Sequence, residues 1–201
     1  MIRKSLIAVL LVFGAASLAS ADTYTIDATH SNVGFAVRHM TVSKVRGSFG
    51  KFEGTVNVDP ADTTKWSCDV VIQTASINTQ AERRDNHLRS ADFFNAEEFP
   101  TLTFKSTKVA PKGKDKFEIN GDLTMRGVTK PVTLEAEILG SMQDSKGNKR
   151  LGFSATTTID RMDYGVSWNK TLDTGGLVVG HDVDITLEIE AVWENPEAST
   201  E

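Results

Sequence analysis

The sequence predicts an all-β fold: an eight-stranded antiparallel barrel with a helical insertion between strands 3 and 4. Three observations lead there. Apolar and polar residues alternate in eight separate runs, the period of half-buried strands. The links between the later runs are short and have turn chemistry, so neighbouring strands pair antiparallel. One longer segment, 79–99, breaks the alternation and reads as helical.

The N-terminus is read first, because residues 1–21 are expected to be a cleaved signal peptide. Arg3 and Lys4 make a positive start, 6–13 is a short apolar run, and Ala19-Ser20-Ala21 offers small residues to a signal peptidase. The run is too short for a permanent transmembrane helix. No other stretch is apolar enough for an integral membrane span. Secretion is therefore expected. Residues 22–194 suit one domain with a sizeable core, and 195–201 read as a flexible tail.

Strand 1 is expected over 32–40, with Val33, Phe35 and Val37 on one face. Strand 2, over 45–58, alternates Phe52, Gly54, Val56 and Val58, and its early glycines suggest a bend or bulge. Strand 3, over 66–77, alternates Trp66, Cys68, Val70 and Ile72. Strand 4, over 101–109, presents Leu102 and Phe104. Strand 5, over 116–125, is the clearest: Phe117, Ile119, Gly121, Leu123 and Met125 face one way, and Lys116, Glu118, Asn120, Asp122 and Thr124 the other. Strands 6 to 8 follow over 131–140, 151–159 and 183–193, and Phe153 is the one aromatic among the inward residues of strand 7. In the insertion, Thr79 and Glu82 have the spacing of a capping box. Residues 161–180 are glycine-rich and irregular, and Gly165, Gly175, Gly176 and Gly180 would let them move to admit a ligand.

Eight one-faced strands can form a sandwich or close into a barrel. Closure removes exposed edges, and only Pro131 offers obvious edge protection. An eight-stranded barrel is either filled by side chains or just wide enough for one small ligand. Composition alone leaves both open, although the inward sets mix Phe with Gly, Ala and Thr, which leaves room. Few charges fall on the inward faces, so a ligand would itself be largely apolar. Each buried CH₂ is worth roughly 0.8 kcal/mol, so a tail of about 20 carbons supplies ample gross driving force.

Other chemistry finds little support. Without Arg3 and Lys4 the formal net charge moves from −5 to −7. A negative chain without evident basic clusters argues against nucleic acid and against anionic membrane surfaces. Cys68 is the single cysteine and reads as a small buried hydrophobe. No pair among His30, His39, His87 and His181 has metal-ligand spacing, so no metal or other cofactor is expected. His87, near Asp85 and Arg89, reads as a solvated helix residue. There is no nucleophile elbow, and no catalytic residue is assigned. Asp160, Arg161 and Asp163 suggest a salt-bridged turn closing one barrel end, with Arg161 or Tyr164 able to meet a polar lipid head. Phe93, Phe94 and Phe99 either line the barrel mouth or dock the helix, and Trp168 shares that ambiguity.

Five segments taken in order resemble the YceI-like proteins: 24–40, 46–54, 85–100, 121–132 and 159–166. The resemblance covers essentially all of the chain after residue 21. It implies a lipocalin-like barrel that binds a long-chain isoprenoid lipid, with quinone-like or fatty amide ligands in some members, secretion to the periplasm, and frequent homodimers. The reading that results is a non-catalytic carrier or store. Its ligand-binding residues are expected to be Val33, Phe35, Val37, Phe52, Phe93, Phe94, Phe104, Leu123, Met125, Phe153, Arg161, Tyr164 and Trp168. Two other readings stay in view. One is an interaction protein with a dry barrel. The other is a lipid-modifying enzyme using His30, Asp160 or His181, which would need titratable groups converging in the cavity.

Overall fold

The computed structural model describes residues 21–171 and 176–196. The expected signal peptide up to Ser20, Gly175 of the glycine-rich segment, and the tail beyond Pro196 lie outside the described residues.

Among the described residues, eleven strands occupy eight positions around a closed barrel. β1(Asp22–Ile26) and β2(Asn32–His39) both run beside β11(Val179–Trp193), one after the other. Thr25 faces Val192, and Val33 faces Leu187. β3(Ser43–Phe49) and β4(Phe52–Val58) form the next position in the same broken fashion, pairing with β2 and β1. β5(Ser67–Gln73) and β6(Ile77–Asn78) form the third, separated by a short 3-10 turn, Thr74–Ser76. β7(Thr101–Pro111), β8(Lys116–Met125), β9(Val128–Gln143) and β10(Lys149–Asp160) follow as a meander, and β11 closes the ring onto β1. Every pairing is antiparallel.

Alternation sets which side chains face inward. On β8, Phe117, Leu123 and Met125 are buried, and Gly121 stands opposite Ser106 of β7. Glycine is required at Gly121 by close approach: a Cβ there would lie 2.4 Å from the Phe104 ring and 2.6 Å from the Lys105 carbonyl oxygen. On β10 a register shift at Gly152/Phe153 leaves Leu139 of β9 out of the ladder, and Leu139 is accordingly exposed. Pro131 lies in β9 where the ladder runs only to β8, so its missing N–H breaks no bond to β10.

The sequence reading starts the sheet at Asn32, whereas the structure adds β1. Its five residues are too few for alternation to stand out, yet Tyr24 and Ile26 are buried and complete the barrel wall. The barrel end near β1 is plugged by Tyr24, Val58, Leu151 and Ala191, with Trp66 and Trp193 packed against them. Trp66 also stacks on Phe117 at 5.2 Å between ring centroids, and its Nε1–H donates to the Asp59 carbonyl at 2.8 Å.

Between β6 and β7 lies α1(Glu82–Arg89), much shorter than the expected 79–99. The capping box does not form. Ala81 is the N-cap and offers no side-chain bond. Instead the buried Asp85 carboxylate reaches back and accepts from the Thr79 N–H at 2.9 Å and the Thr79 hydroxyl at 2.5 Å. Gln80, at φ 61°, takes the chain out of helical geometry just before the helix begins. Arg89 fastens α1 to the barrel by donating to the carbonyls of Ala75 and Ile77, both at 2.8 Å. Beyond Arg89 the chain turns repeatedly, with Asn95 at φ 48°, and so cannot continue the helix.

Candidate functional site

A cavity of about 250 Å³ runs inside the barrel. Its wall reaches from Phe117 to Met125 along β8, about 26 Å of strand at the usual rise. An engineered apolar cavity of roughly 150 Å³ already admits benzene, so this interior has room for a chain. The wall is almost wholly apolar. Its polar side chains are Ser67, Cys68, Thr157 and Arg161, and among the described residues it contains no carboxylate or imidazole. Burial pushes the Cys68 thiol up to about 11, so it stays protonated and behaves as part of the apolar wall.

Of the thirteen residues assigned from sequence, Val33, Phe35, Val37, Phe93, Phe94, Phe104, Leu123, Met125, Phe153 and Arg161 line the cavity. Phe52 and Tyr164 are buried but stand outside the wall. Trp168 packs behind it, 5.2 Å from the Phe93 ring. The sequence reading placed a strand over 183–193 but assigned none of its residues to the ligand. Val183, Ile185, Leu187 and Ile189 all line the cavity, and their alternation was legible. It also omitted Leu88, the α1 residue that reaches the interior.

The end opposite the Trp66 plug is built from α1, the turns after it, and the segment following β10. Phe93 and Phe94 cover the interior, and Phe94 meets Phe49 edge-on at 5.9 Å. Phe99 instead packs under Gly127, outside the cavity wall. His87 is not simply solvated. Its Nε2 lies 2.7 Å from an Asp92 oxygen, and its ring meets both Phe93 and Trp168 edge-on at 5.0 Å. Arg126 ties the insertion to the far turn by donating to the carbonyls of Ala91 and Gly165.

The turn Arg161–Tyr164 forms as expected, but among the described residues no salt bridge holds it. Asp160 caps it by accepting from the Met162 N–H at 2.8 Å. Arg161 is 4 % exposed and forms no salt bridge among the described residues. It donates instead to three backbone carbonyls: Gly180 at 2.8 Å, Val179 at 3.4 Å, and Val166. These bonds use three of the five N–H groups of a guanidinium. Burial lowers its pKa, opposed by the nearby Asp160 charge. The side chain still remains a cation, because arginine starts so high. Burial also pushes the Tyr164 phenol up to about 12.

One titratable cluster lies on the outer surface. Asp27, His30 and Glu190 bring ligand-type atoms within 4.8 Å of one another. Sequence spacing missed it because Glu190 comes from β11. Arg150 already donates to both Asp27 and Glu190, so a cation occupies the cluster. The His30 hydrogen bond holds Asp27 down at about 2, and the same bond raises His30. The depressed Asp27 stabilises the fold above the ordinary carboxylate pKa, an effect lost as pH falls toward about 2. The raised His30 stabilises it below the ordinary imidazole value of 6.5, an effect lost as pH rises past the raised pKa. The difference in melting temperature between the native chain and His30→Gln is therefore expected to be largest between about pH 4 and pH 6.5. Thermal melts across pH check this; a difference that grows above pH 8 would refute it.

The fold and site define a class: a closed antiparallel β-barrel with an apolar interior and one buried cation at its wall. The YceI-like domain model matches residues 24–191, and the chain belongs to that family. It is 41% identical over 186 residues to Protein YceI of Escherichia coli O157:H7, covering 92% of this chain and 93% of that one. Among solved structures it resembles Burkholderia cenocepacia BcnA, with a TM-score of 0.71 and 27% identity over 82% of this chain and 98% of that one. A polyisoprenoid binding domain from Saccharophagus degradans shares the fold at TM-score 0.60 and 15% identity, covering 85% of this chain and 98% of that one. Among the described residues no helix is long and apolar enough to cross a membrane.

Proposed function

We propose that this protein carries or stores one long apolar lipid of the polyisoprenoid or isoprenoid-quinone type inside the barrel, without chemistry, in the periplasm. The observation that carries the reading is the cavity itself: about 250 Å³, running along the barrel, with an apolar wall. Such a wall binds by burial, and an extended hydrocarbon gains roughly 0.8 kcal/mol for each CH₂ enclosed. Among the described residues, Arg161 is the one cation in that wall. The two N–H groups left over from its carbonyl bonds suit the carbonyl or hydroxyl oxygen of a polar head. The tail would then extend toward the Trp66 plug. The polyisoprenoid description of the Saccharophagus degradans domain agrees with this, as does the leader expected in residues 1–21.

The test is native mass spectrometry of the protein purified without detergent, followed by solvent extraction and lipid identification. The expected result is one adduct per chain that releases a prenyl lipid. A bare mass that does not move when prenyl lipids are added would overturn the carrier reading and favour a dry-barrel interaction protein.

A further inference from the structure

An apolar feature is left uncovered at the cavity's Arg161 end. The tip of the β2–β3 hairpin exposes Met40 at 40 % and Val42 at 84 %. The Met40 N–H donates to the Val178 carbonyl at 2.9 Å, which brings the exposed Leu177 alongside. Met40 and Thr41 sit at φ 51° and φ 60°, the left-handed pair of a tight hairpin turn. Asn-Gly is the favoured sequence for that turn. Here a methionine and a β-branched residue hold it, so apolar bulk is kept where small polar residues fit better.

Charge sets this hairpin apart as well. The chain is net negative, yet it has no Asp or Glu between Asp27 and Glu53. Arg38, Lys44, Arg46 and Lys51 all fall in that stretch. Arg38 pairs in register with Lys44, and Arg46 with Ala36. Phe35 and Val37 point into the cavity, so alternation puts these three cations on one outer face. Lys44 is answered by Asp184 of β11 at 2.5 Å. Arg38 and Arg46 form no salt bridge among the described residues. The net charge of the whole chain argues against an anionic surface, but it averages this patch away. The patch also adjoins the interior: Val37 and Val179 are wall residues, and Val179 stands opposite His39.

We propose that the β2–β3 hairpin docks the barrel on an anionic phospholipid bilayer, with Met40 and Val42 entering the interface and Arg38 and Arg46 meeting lipid phosphates. Docked this way, the Arg161 end of the cavity faces the membrane, where an apolar molecule can be taken up or released without crossing water. The surface goes beyond the carrier reading and does not depend on which molecule the barrel holds.

The test places a polarity-sensitive thiol dye at Val42→Cys, and in a second protein at Lys114→Cys in the turn at the opposite end. Cys68 faces the interior as a neutral thiol and reacts slowly. Each full chain is mixed with vesicles of phosphatidylcholine alone or of phosphatidylcholine with phosphatidylglycerol. The Val42→Cys dye is expected to shift blue only on the anionic vesicles, and the Lys114→Cys dye not at all. Adding Arg38→Gln with Arg46→Gln is expected to weaken vesicle affinity roughly thirtyfold, at about 1 kcal/mol for each surface cation. Met40→Asn with Thr41→Gly should keep the fold, as read by circular dichroism, and still weaken binding when the dye is at Val42→Cys. No shift on anionic vesicles, or an equal shift at both dye positions, overturns the proposal. A shift that needs no vesicles and grows with protein concentration assigns the patch to a second copy of the chain, and also overturns it. Cargo loading, read separately by native mass spectrometry, is expected to be unchanged in these variants.

Discussion

Arg161→Met is expected to lower the free energy of unfolding by about 3 kcal/mol, or roughly 6–12 °C in melting temperature for a domain of this size. Three carbonyls, those of Val166, Val179 and Gly180, lose a charged donor at once. A buried acceptor left unpaired costs on the order of 1–3 kcal/mol, although the Val179 carbonyl keeps the Asn169 amide as a donor at 2.7 Å. Relief from burying a charge offsets part of this. Arg161→Lys separates the structural role from a ligand role. Lysine keeps the charge but has no planar fork, so it restores at most part of the stability. If Arg161 also meets the lipid head, both variants hold lipid less tightly even under conditions where they stay folded. Chemical unfolding curves and competitive lipid exchange check these effects. An Arg161→Met chain as stable as the native one would refute this, and would show that relief from burying the charge offsets the carbonyl bonds in full.

The second large effect is expected from Ala155→Phe. Ala155 lines the cavity and stands opposite Ala136 and Leu187 on its neighbouring strands. The interior is larger than the roughly 150 Å³ that accepts a benzene ring in an engineered apolar cavity, so the phenyl group can enter without displacing backbone. The barrel should stay folded, with a melting temperature equal to or above the native value. Bound lipid should fall from about one per chain to a small fraction, read by native mass spectrometry. A folded variant that keeps its full load would mean that the tail does not pass Ala155. A variant that unfolds by about 1–3 kcal/mol, as overpacked cores do, would mean that the barrel is filled by its own side chains.

Much of the wall was legible because alternation is local. Phe104, Leu123, Met125 and Phe153 follow from their own strands without knowledge of any partner. The helix was misjudged for an equally local reason. Thr79 and Glu82 have capping-box spacing, but Asp85 competes for the Thr79 donors from one turn further on and wins. His87 was underestimated because Trp168, one of its ring partners, is far away in sequence. The surface cluster of Asp27, His30 and Glu190 was invisible for the same reason, since β1 and β11 meet only when the barrel closes. The basic hairpin was in plain view as a run without carboxylates, but a net charge summed over the chain cancels it.

By itself the sequence determined the strand count in the meander, the inward face of each strand after β1, and the family. Those depend on side-chain alternation and short turns, which neighbouring residues settle between them. Tertiary structure decided that the inward faces leave a space, because whether Phe104 lies across Gly121 or fills the middle of the barrel depends on closure and register. It decided that Arg161 is held by carbonyls of Val166, Val179 and Gly180, since β11 returns beside the end of β10 only in the folded barrel. It also placed Met40 and Val42 next to the cavity's end, because antiparallel pairing of β2 with β11 puts His39 opposite Val179.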